Sequence, residues 1–487
     1  MAVAVRAAMG ASLLFLLLLP LAWAPVSSAA VGPFPKTGKF VTNKSVKDDM
    51  EERVQRRLGQ RKDGQPTGSA AGESYRPFIF DLSVGSSPQQ TLPVIMDINS
   101  DLTWAQCEPC PSCQTLSPPP TPTFRPADSK SFMEVGCATQ TCERMSYHNC
   151  TGDDICRYRT GYMSGFLATD TFTFGNVTGP GRTDVPGMVF GCSGDITLPE
   201  LDGVSGFAGF SRGPLSLVSQ LNISSFTYFI APPDDAGGKS FVSWSWGGAT
   251  DDDATVAAGQ ATSTTTGSRG TSSTPLLAAT KTKNLQNPYW YYVNLTGVQV
   301  DDKLLTAIPA GTFDIPRSGG VSLSTFLPVT YLVEDAYRVV RQELMSRVQS
   351  EGVAPVKASD DDGGKLCFLT EDFANTKVPT LALLFDGADA AMELKVENYF
   401  LAYDDGNTCL TIMPSTEHVQ GSVLGSMLQA GRKMTYEIHS DGGGVLTFET
   451  FDKAAGAPEK AAGAPAPAKV PLIIMIIMAT LLIWGLL

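Results

Sequence analysis

Short runs of alternating apolar and polar residues, punctuated by glycine and proline, fill most of the chain between residues 75 and 452. Phe78-Ile-Phe-Asp-Leu-Ser-Val-Gly85 and Thr169-Asp-Thr-Phe-Thr-Phe174 are examples, and such period-two stretches rich in aromatic and β-branched residues predict strands. Tyr289–Val300 reads as paired strands for the same reason. Helical spacing is scarce. Ala336, Val339, Val340 and Leu344 recur at intervals of three and four, which predicts a helix over Val333–Gln349. A shorter helix fits Leu215–Leu221, and another Lys47–Leu58. Residues 249–274 are rich in Asp, Thr, Ser and Gly and have no periodicity, so they read as a flexible connection. The expected fold class is therefore all-β, with one lobe over 75–248, a second over 275–452 and a cleft between them.

The two lobes repeat an element. Val94-Ile-Met-Asp97-Ile-Asn-Ser-Asp-Leu-Thr-Trp104 lies beside Val321-Ser-Leu-Ser324-Thr-Phe-Leu-Pro-Val-Thr-Tyr331, pairing Val with Val, Met with Leu, Leu with Val, Thr with Thr and Trp with Tyr. Val204-Ser-Gly206 and Val423-Leu-Gly425 form a second pair, each roughly 100 residues downstream of its own loop, as two homologous half-units would give. In this pairing Asp97 stands opposite Ser324.

Composition narrows the function. At 43% hydrophobic and 17% charged residues the chain is globular, and 487 residues allow more than one sizeable core. A net charge of −13 speaks against a nucleic-acid partner, which would need a basic surface. The densest basic cluster, Arg53, Arg56, Arg57, Arg61 and Lys62, precedes the first strand of the lobe.

Both ends read as targeting signals. Arg6, the apolar run Leu13–Leu21 and the small residues Ala22-Trp-Ala24 and Ser28-Ala-Ala30 describe a secretory signal peptide over 1–30, with an N-terminal membrane anchor as the competing reading. At the other end an Ala/Pro-rich spacer, 453–471, leads into an apolar tail, 472–487. Small residues near Ala461, Ala462 and Gly463, a spacer and a terminal greasy segment read as a glycosylphosphatidylinositol anchor signal. The tail is short against the roughly 20 residues of a spanning helix, the alternative. The expected location is the extracellular face of the plasma membrane.

Secretion colours the remaining chemistry. Asn43, Asn149, Asn176, Asn222 and Asn294 head glycosylation sequons. Ten cysteines in a secreted chain read as disulfides; Cys367 and Cys409 are the only two in the second half and are expected to pair. Cys107, Cys110 and Cys113 have zinc-like spacing, but the three histidines are scattered, so no metal and no cofactor are expected.

The motifs around the repeat resemble the pepsin-type aspartic peptidases, most closely the plant nepenthesin-like branch. Asp97-Ile-Asn-Ser100 followed by Asp101-Leu-Thr-Trp104-Ala-Gln-Cys107 is similar to that family's Asp-Thr-Gly-Ser and Asp-Leu-x-Trp run. Ser86-Ser-Pro-Gln89, Val189-Phe-Gly-Cys192, the glycine-rich Gly203–Leu221 stretch, Gly319-Gly320-Val321, Ala336-Tyr337, Val423-Leu-Gly425 and Tyr436-Glu-Ile438 extend the likeness over residues 75–452. The same residues absorb Gly209-Phe-Ser211-Arg-Gly213, which otherwise fits a serine-hydrolase elbow.

The resemblance implies a bilobal pepsin-like fold, a pro-segment over 31–74, and a cysteine-rich insert between Cys107 and Cys156. It also implies a catalytic pair of carboxylates sharing a proton. Here Asp97 is one and Ser324 is the position of the lost second. A lone Asp97 is expected to titrate near about 4, leaving an acceptor without an acid. Asn99 tolerates the tight first loop, whereas Phe326 does not suit positive φ, so the second loop is expected to take a different shape with Phe326 or Leu327 filling space near the old pair. Of the paired threonines that brace the loops only Thr325 remains, Ile98 replacing the other. The flap reads as truncated, with Tyr158 and Tyr162 as candidates for its tyrosine, against the alternative of ordinary strand residues. Two functions follow. The leading one is a membrane-anchored, catalytically impaired relative, expected to be monomeric, whose cleft binds a peptide or protein. The other is an active aspartic endopeptidase.

Overall fold

The computed structural model describes residues 37–41 and most of 78–450. Positions 111–120, 146, 151, 153, 161–162, 176–181, 197–203, 233–239, 247–270, 357–364, 389, 404 and 416–420 and both chain ends lie outside that description. The signal peptide, the Lys47–Leu58 helix, Asn43, Asn176, Tyr162 and the C-terminal tail are therefore sequence readings only. No helix among the described residues is long and apolar enough to cross a membrane.

The first half is built on a nine-stranded sheet. Its order is Ile79–Val84, Gln90–Asp97, Gly206–Gly209, Trp104–Gln106, Thr183–Ile196, Met163–Phe174, Arg157–Arg159 and His148–Asn149, with Met133–Glu134 alongside Met163–Phe174. An eleven-stranded sheet joins the halves. It runs Thr37–Val41, Phe241–Trp246, Ile223–Phe229, Arg432–Ile438, Gly444–Thr450, Thr271–Leu276, Tyr292–Val293, Val321–Leu323, Ser422–Leu424, Thr330–Leu332 and Ile412–Pro414. The seam is Ile223–Phe229 against Arg432–Ile438, where Phe226 lies opposite Tyr436 with rings stacked at 4.6 Å. Alternation explains that seam: Phe226, Tyr228, Met434 and Tyr436 face the buried side, while Thr227 and Thr435 bond to each other at its rim. The expected Tyr289–Val300 pair of strands is divided between two sheets, Tyr292–Val293 in the large one and Leu295–Val300 in a four-stranded one with Leu381–Phe385.

The long helix spans Glu334–Ser350 and buries Ala336, Val340 and Leu344 of the expected stripe; Val339 is only half-buried, and Tyr337 and Val348 complete the buried face instead. Glu334 and Asp335 in its first turn suit the positive end of the helix dipole. The second predicted helix shortens to Leu217–Gln220, capped by the Ser216 side chain.

Disulfides join Cys107 to Cys192, Cys137 to Cys150, Cys142 to Cys156 and Cys367 to Cys409, the last as expected from the sequence. The sulfurs of Cys137, Cys142 and Cys150 lie within 4.8 Å of one another, but all three are held in these bonds.

Candidate functional site

The repeat read from the sequence is a repeat in space. Gln90–Asp97 runs parallel to Gly206–Gly209, which also pairs antiparallel with Trp104–Gln106. In the second half Val321–Leu323 runs parallel to Ser422–Leu424, which pairs antiparallel with Thr330–Leu332. The amide of Gly209 donates to Thr103 Oγ1 at 3.0 Å, and that of Gly425 to Thr330 Oγ1 at 3.0 Å. A Cβ on Gly209 would sit 2.7 Å from the Ser100 carbonyl oxygen, and one on Gly425 2.3 Å from that of Val329. Gly209, three residues beyond Gly206, is thus the counterpart of Gly425. The Val-x-Gly match seen in the sequence was displaced because both glycines of Gly206-Phe-Ala-Gly209 sit under close backbone, Gly206 against the Trp104 carbonyl.

Asp97 and Ser324 end the two equivalent strands. Phe210 N donates to the Asp97 carbonyl at 2.8 Å, and Ser324 N to the Leu424 carbonyl at 3.0 Å. The loops that follow are tied together. Thr325 Oγ1 donates to the Met96 carbonyl at 2.9 Å and accepts from Ile98 N at 3.2 Å. Met96 precedes Asp97, so perfect two-fold symmetry would have a hydroxyl at 98 donate to the carbonyl before Ser324. Ile98 has none. Asn99 takes over: its Nδ2 donates to the Leu323 carbonyl at 2.9 Å, and its own carbonyl accepts from Trp290 Nε1 at 2.9 Å. The bracing is lost at one hydroxyl and restored by the neighbouring amide, leaving Asn99 Oδ1 buried without a partner.

Ser324 is 2% exposed and its Oγ accepts from Leu327 N at 3.1 Å. Its carbonyl accepts from Gln429 Nε2 at 2.9 Å, and Gln429 Oε1 in turn accepts from the Tyr228 hydroxyl. Ser324 is thereby fixed from the seam between the halves.

Asp97 departs from the sequence expectation. Its carboxyl is pushed up to about 6, chiefly by burial, against the lowering pull of hydrogen bonds from the Asn99 and Ser100 amides; Asp101 raises it further. Asn99 N reaches Asp97 Oδ1 at 2.8 Å. At pH 5 a carboxyl of that pKa is about nine-tenths protonated, so the lone group is an acid lacking a base, the reverse of the acceptor expected. The sequence could not show this because desolvation depends on what the fold packs around the carboxyl. Asp101 is half-buried against Gly213, and burial raises its carboxyl too.

Phe326 reshapes its loop as the sequence suggests. Neither it nor Asn99 has positive φ. The second loop takes the large side chain without left-handed backbone, and the ring crosses to Phe207 of the first half at 5.1 Å, edge to face.

Tyr158 is buried in the first half's core, its hydroxyl 2.7 Å from Ser193 Oγ. That placement fits a strand residue and not a side chain reaching over the cleft. The hairpin carrying it is short: Arg159 pairs with Ser164, so the strands Arg157–Arg159 and Met163–Phe174 are joined across 160–162. Ser211, the centre of the elbow-like motif, is fully buried and accepts from Gly213 N, unlike the exposed nucleophile that such an elbow presents.

Sequence reasoning missed Arg212. Its guanidinium donates to the carbonyls of Leu277 at 2.8 Å, Pro288 at 3.2 Å, Trp290 at 2.5 Å and Gly442, and to Thr282 Oγ1 at 3.3 Å. All belong to the second half, so one side chain of the glycine-rich stretch fastens the halves behind the site. No local signal marks it, because its acceptors lie between 65 and 230 positions away along the chain.

Two β halves, a repeated loop-bearing motif and an inward carboxyl on one of the two loops define a protein of the pepsin type. The xylanase inhibitor N-terminal family matches residues 78–243 and the xylanase inhibitor C-terminal family residues 290–448. The chain belongs to the plant nepenthesin-like family of pepsin-type aspartic peptidases and their relatives. It is 31% identical to the aspartic proteinase nepenthesin-1 of Nepenthes gracilis over 426 residues, 85% of this chain and 87% of that protein. Nepenthesin-2 of the same plant is 29% identical over 418 residues, 83% of this chain and 86% of that one. Among solved structures, EDGP superposes with a TM-score of 0.59 at 14% identity, covering 86% of this chain and 96% of EDGP. Basic 7S globulin from soybean gives 0.57 at 17%, covering 87% and 99%. Both share the fold.

Proposed function

We propose that this chain is a secreted aspartic-peptidase relative that no longer cleaves peptides and keeps its cleft to bind a peptide or protein, held outside the plasma membrane by a C-terminal lipid anchor. The observation that carries this reading is Ser324 at the place matched to Asp97, with its hydroxyl oxygen engaged by Leu327 N. Peptide hydrolysis on this fold needs one group to take a proton from water while another gives one. Asp97 alone does one or the other, and a serine hydroxyl does not ionise in the working range. The matched families are named for xylanase inhibitors, which supports a binding role for the scaffold. Asn149, Asn222 and Asn294 are exposed, as glycan acceptors on a secreted chain would be.

The test is a peptide-library assay of the secreted protein from pH 3 to 8 beside Asp97→Ala. Neither protein is expected to cleave, and Ser324→Asp with Phe326→Gly is expected to gain cleavage. Wild-type cleavage that Asp97→Ala abolishes would overturn the proposal. Release from membranes by phospholipase tests the anchor; retention would favour a spanning tail.

A further inference from the structure

We propose that Phe326 is a built-in plug: the chain's own side chain occupies an apolar seat beside Asp97 that would otherwise take one aromatic or branched aliphatic side chain of a bound peptide. The backbone on either side of Phe326 is fixed to its own half or to the loop below. Thr325 is held by its two bonds to the Asp97 loop, Leu327 N by Ser324 Oγ, and the Leu327 carbonyl by Ser426 N at 2.7 Å. Leu327 itself is buried in the second half's core. Between these anchors the Phe326 ring crosses to Phe207 of the other half.

Its seat is made by other side chains of the first half. Phe207 lies flat on Trp104 at 5.2 Å with an interplanar angle of 17°, and both belong to a closed core cluster with Ile79, Ile95 and Leu102. Phe326 packs on that cluster from outside, is only half-buried, and meets Phe207 edge-on at 62°. Edge-to-face contact is a favourable arrangement that a ligand ring can reproduce. The seat is also in the right place: Phe207 pairs with Ile95, two residues before Asp97 on the same strand pair. A peptide side chain approaching Asp97 along this wall meets Phe326 first. The proposal deepens the binding reading and rests on it only in taking the displacing group to be a peptide side chain.

The experiment uses the full secreted chain and benzene, a probe that fits a phenyl-sized apolar hole. Thermal unfolding is followed with rising benzene for the wild type, Phe326→Ala, Phe326→Leu and Phe326→Ala with Asp97→Ala. Expected is a saturable rise of about 2 °C or more for Phe326→Ala, the same rise in the double variant, and none for the wild type. An equal rise in the wild type would overturn the proposal, as would a folded Phe326→Ala that does not respond. If Phe326→Ala fails to fold, Phe326→Leu carries the test: a smaller saturable rise supports the plug, and no response rejects it. Because benzene binding does not need Asp97, failure here is separable from any finding of peptide cleavage.

Discussion

Replacing Asp97 by Asn should make the protein more stable at neutral pH and leave it nearly unchanged in acid, after allowing for a fixed offset from the amide. Burial holds the folded carboxyl near about 6 against 3.8 for the free group. Below pH about 4 both folded and unfolded chains keep the proton, and burial of the neutral acid carries no charge penalty. Between about 4 and 6 the unfolded chain releases its proton while the folded one retains it, so stability falls as pH rises. Above about 6 the penalty is complete. Two units at 1.36 kcal/mol each amount to about 3 kcal/mol. The amide introduced by Asp97→Asn keeps an acceptor for the Asn99 backbone N–H, which lies 2.8 Å from the carboxylate oxygen, and has nothing to titrate. Urea unfolding of both proteins at half-unit steps from pH 3.5 to 7.5 gives a difference curve from which every titrating group that does not interact with Asp97 cancels, leaving Asp97 with a smaller contribution from its neighbour Asp101. That curve should climb by about 3 kcal/mol between pH 4 and 7 in favour of Asn. A flat curve would refute the reasoning: it would mean that the carboxyl titrates alike in the folded and unfolded chains, the hydrogen bonds from Asn99 and Ser100 balancing desolvation.

Other substitutions probe the frame around the site. Thr325→Val removes a donor to Met96 and an acceptor for Ile98 in buried surroundings and should cost about 2 kcal/mol by chemical denaturation. Asn99→Ala should cost less, about 1 kcal/mol, because it also deletes an oxygen that is buried without a partner. Gly209→Ala and Gly425→Ala force a Cβ against carbonyl oxygens at 2.7 and 2.3 Å; each should lose more than about 2 kcal/mol, Gly425→Ala the more. Arg212→Met strips the donors from four carbonyls and a hydroxyl and should cost about 3 kcal/mol or more, with Arg212→Lys recovering only part, since an ammonium cannot span so wide an arc of acceptors. Wild-type stability in the Met variant would refute the clamp.

Much of this architecture was legible before any coordinates. The pairing of Asp97 with Ser324 followed from matched apolar positions, and Thr103 and Thr330 turn out to hold equivalent glycine amides. The pairing of Cys367 with Cys409 and the buried stripe of Glu334–Ser350 were equally readable, since both depend on residue type and spacing alone. What escaped depends on three-dimensional company. Asn99 was weighed for its backbone tolerance, yet its contribution is a side-chain amide reaching Leu323, more than two hundred positions away. That Phe326 reshapes its loop and fills space is readable from its bulk, but its contact with Phe207 of the other half is not. The elevated Asp97 carboxyl arises from exclusion of water, which no local motif encodes.

The brevity of the Arg157–Arg159 and Met163–Phe174 hairpin bears on how anything arrives at Asp97. A long mobile arm would have to lift before entry and settle afterwards, and such motions commonly set the pace of capture and escape. A shorter arm has less to move, so that delay would shrink. Encounter would then be governed by diffusion and by how well two surfaces fit, conditions that suit a blunt, prefolded partner at least as well as a slender strand.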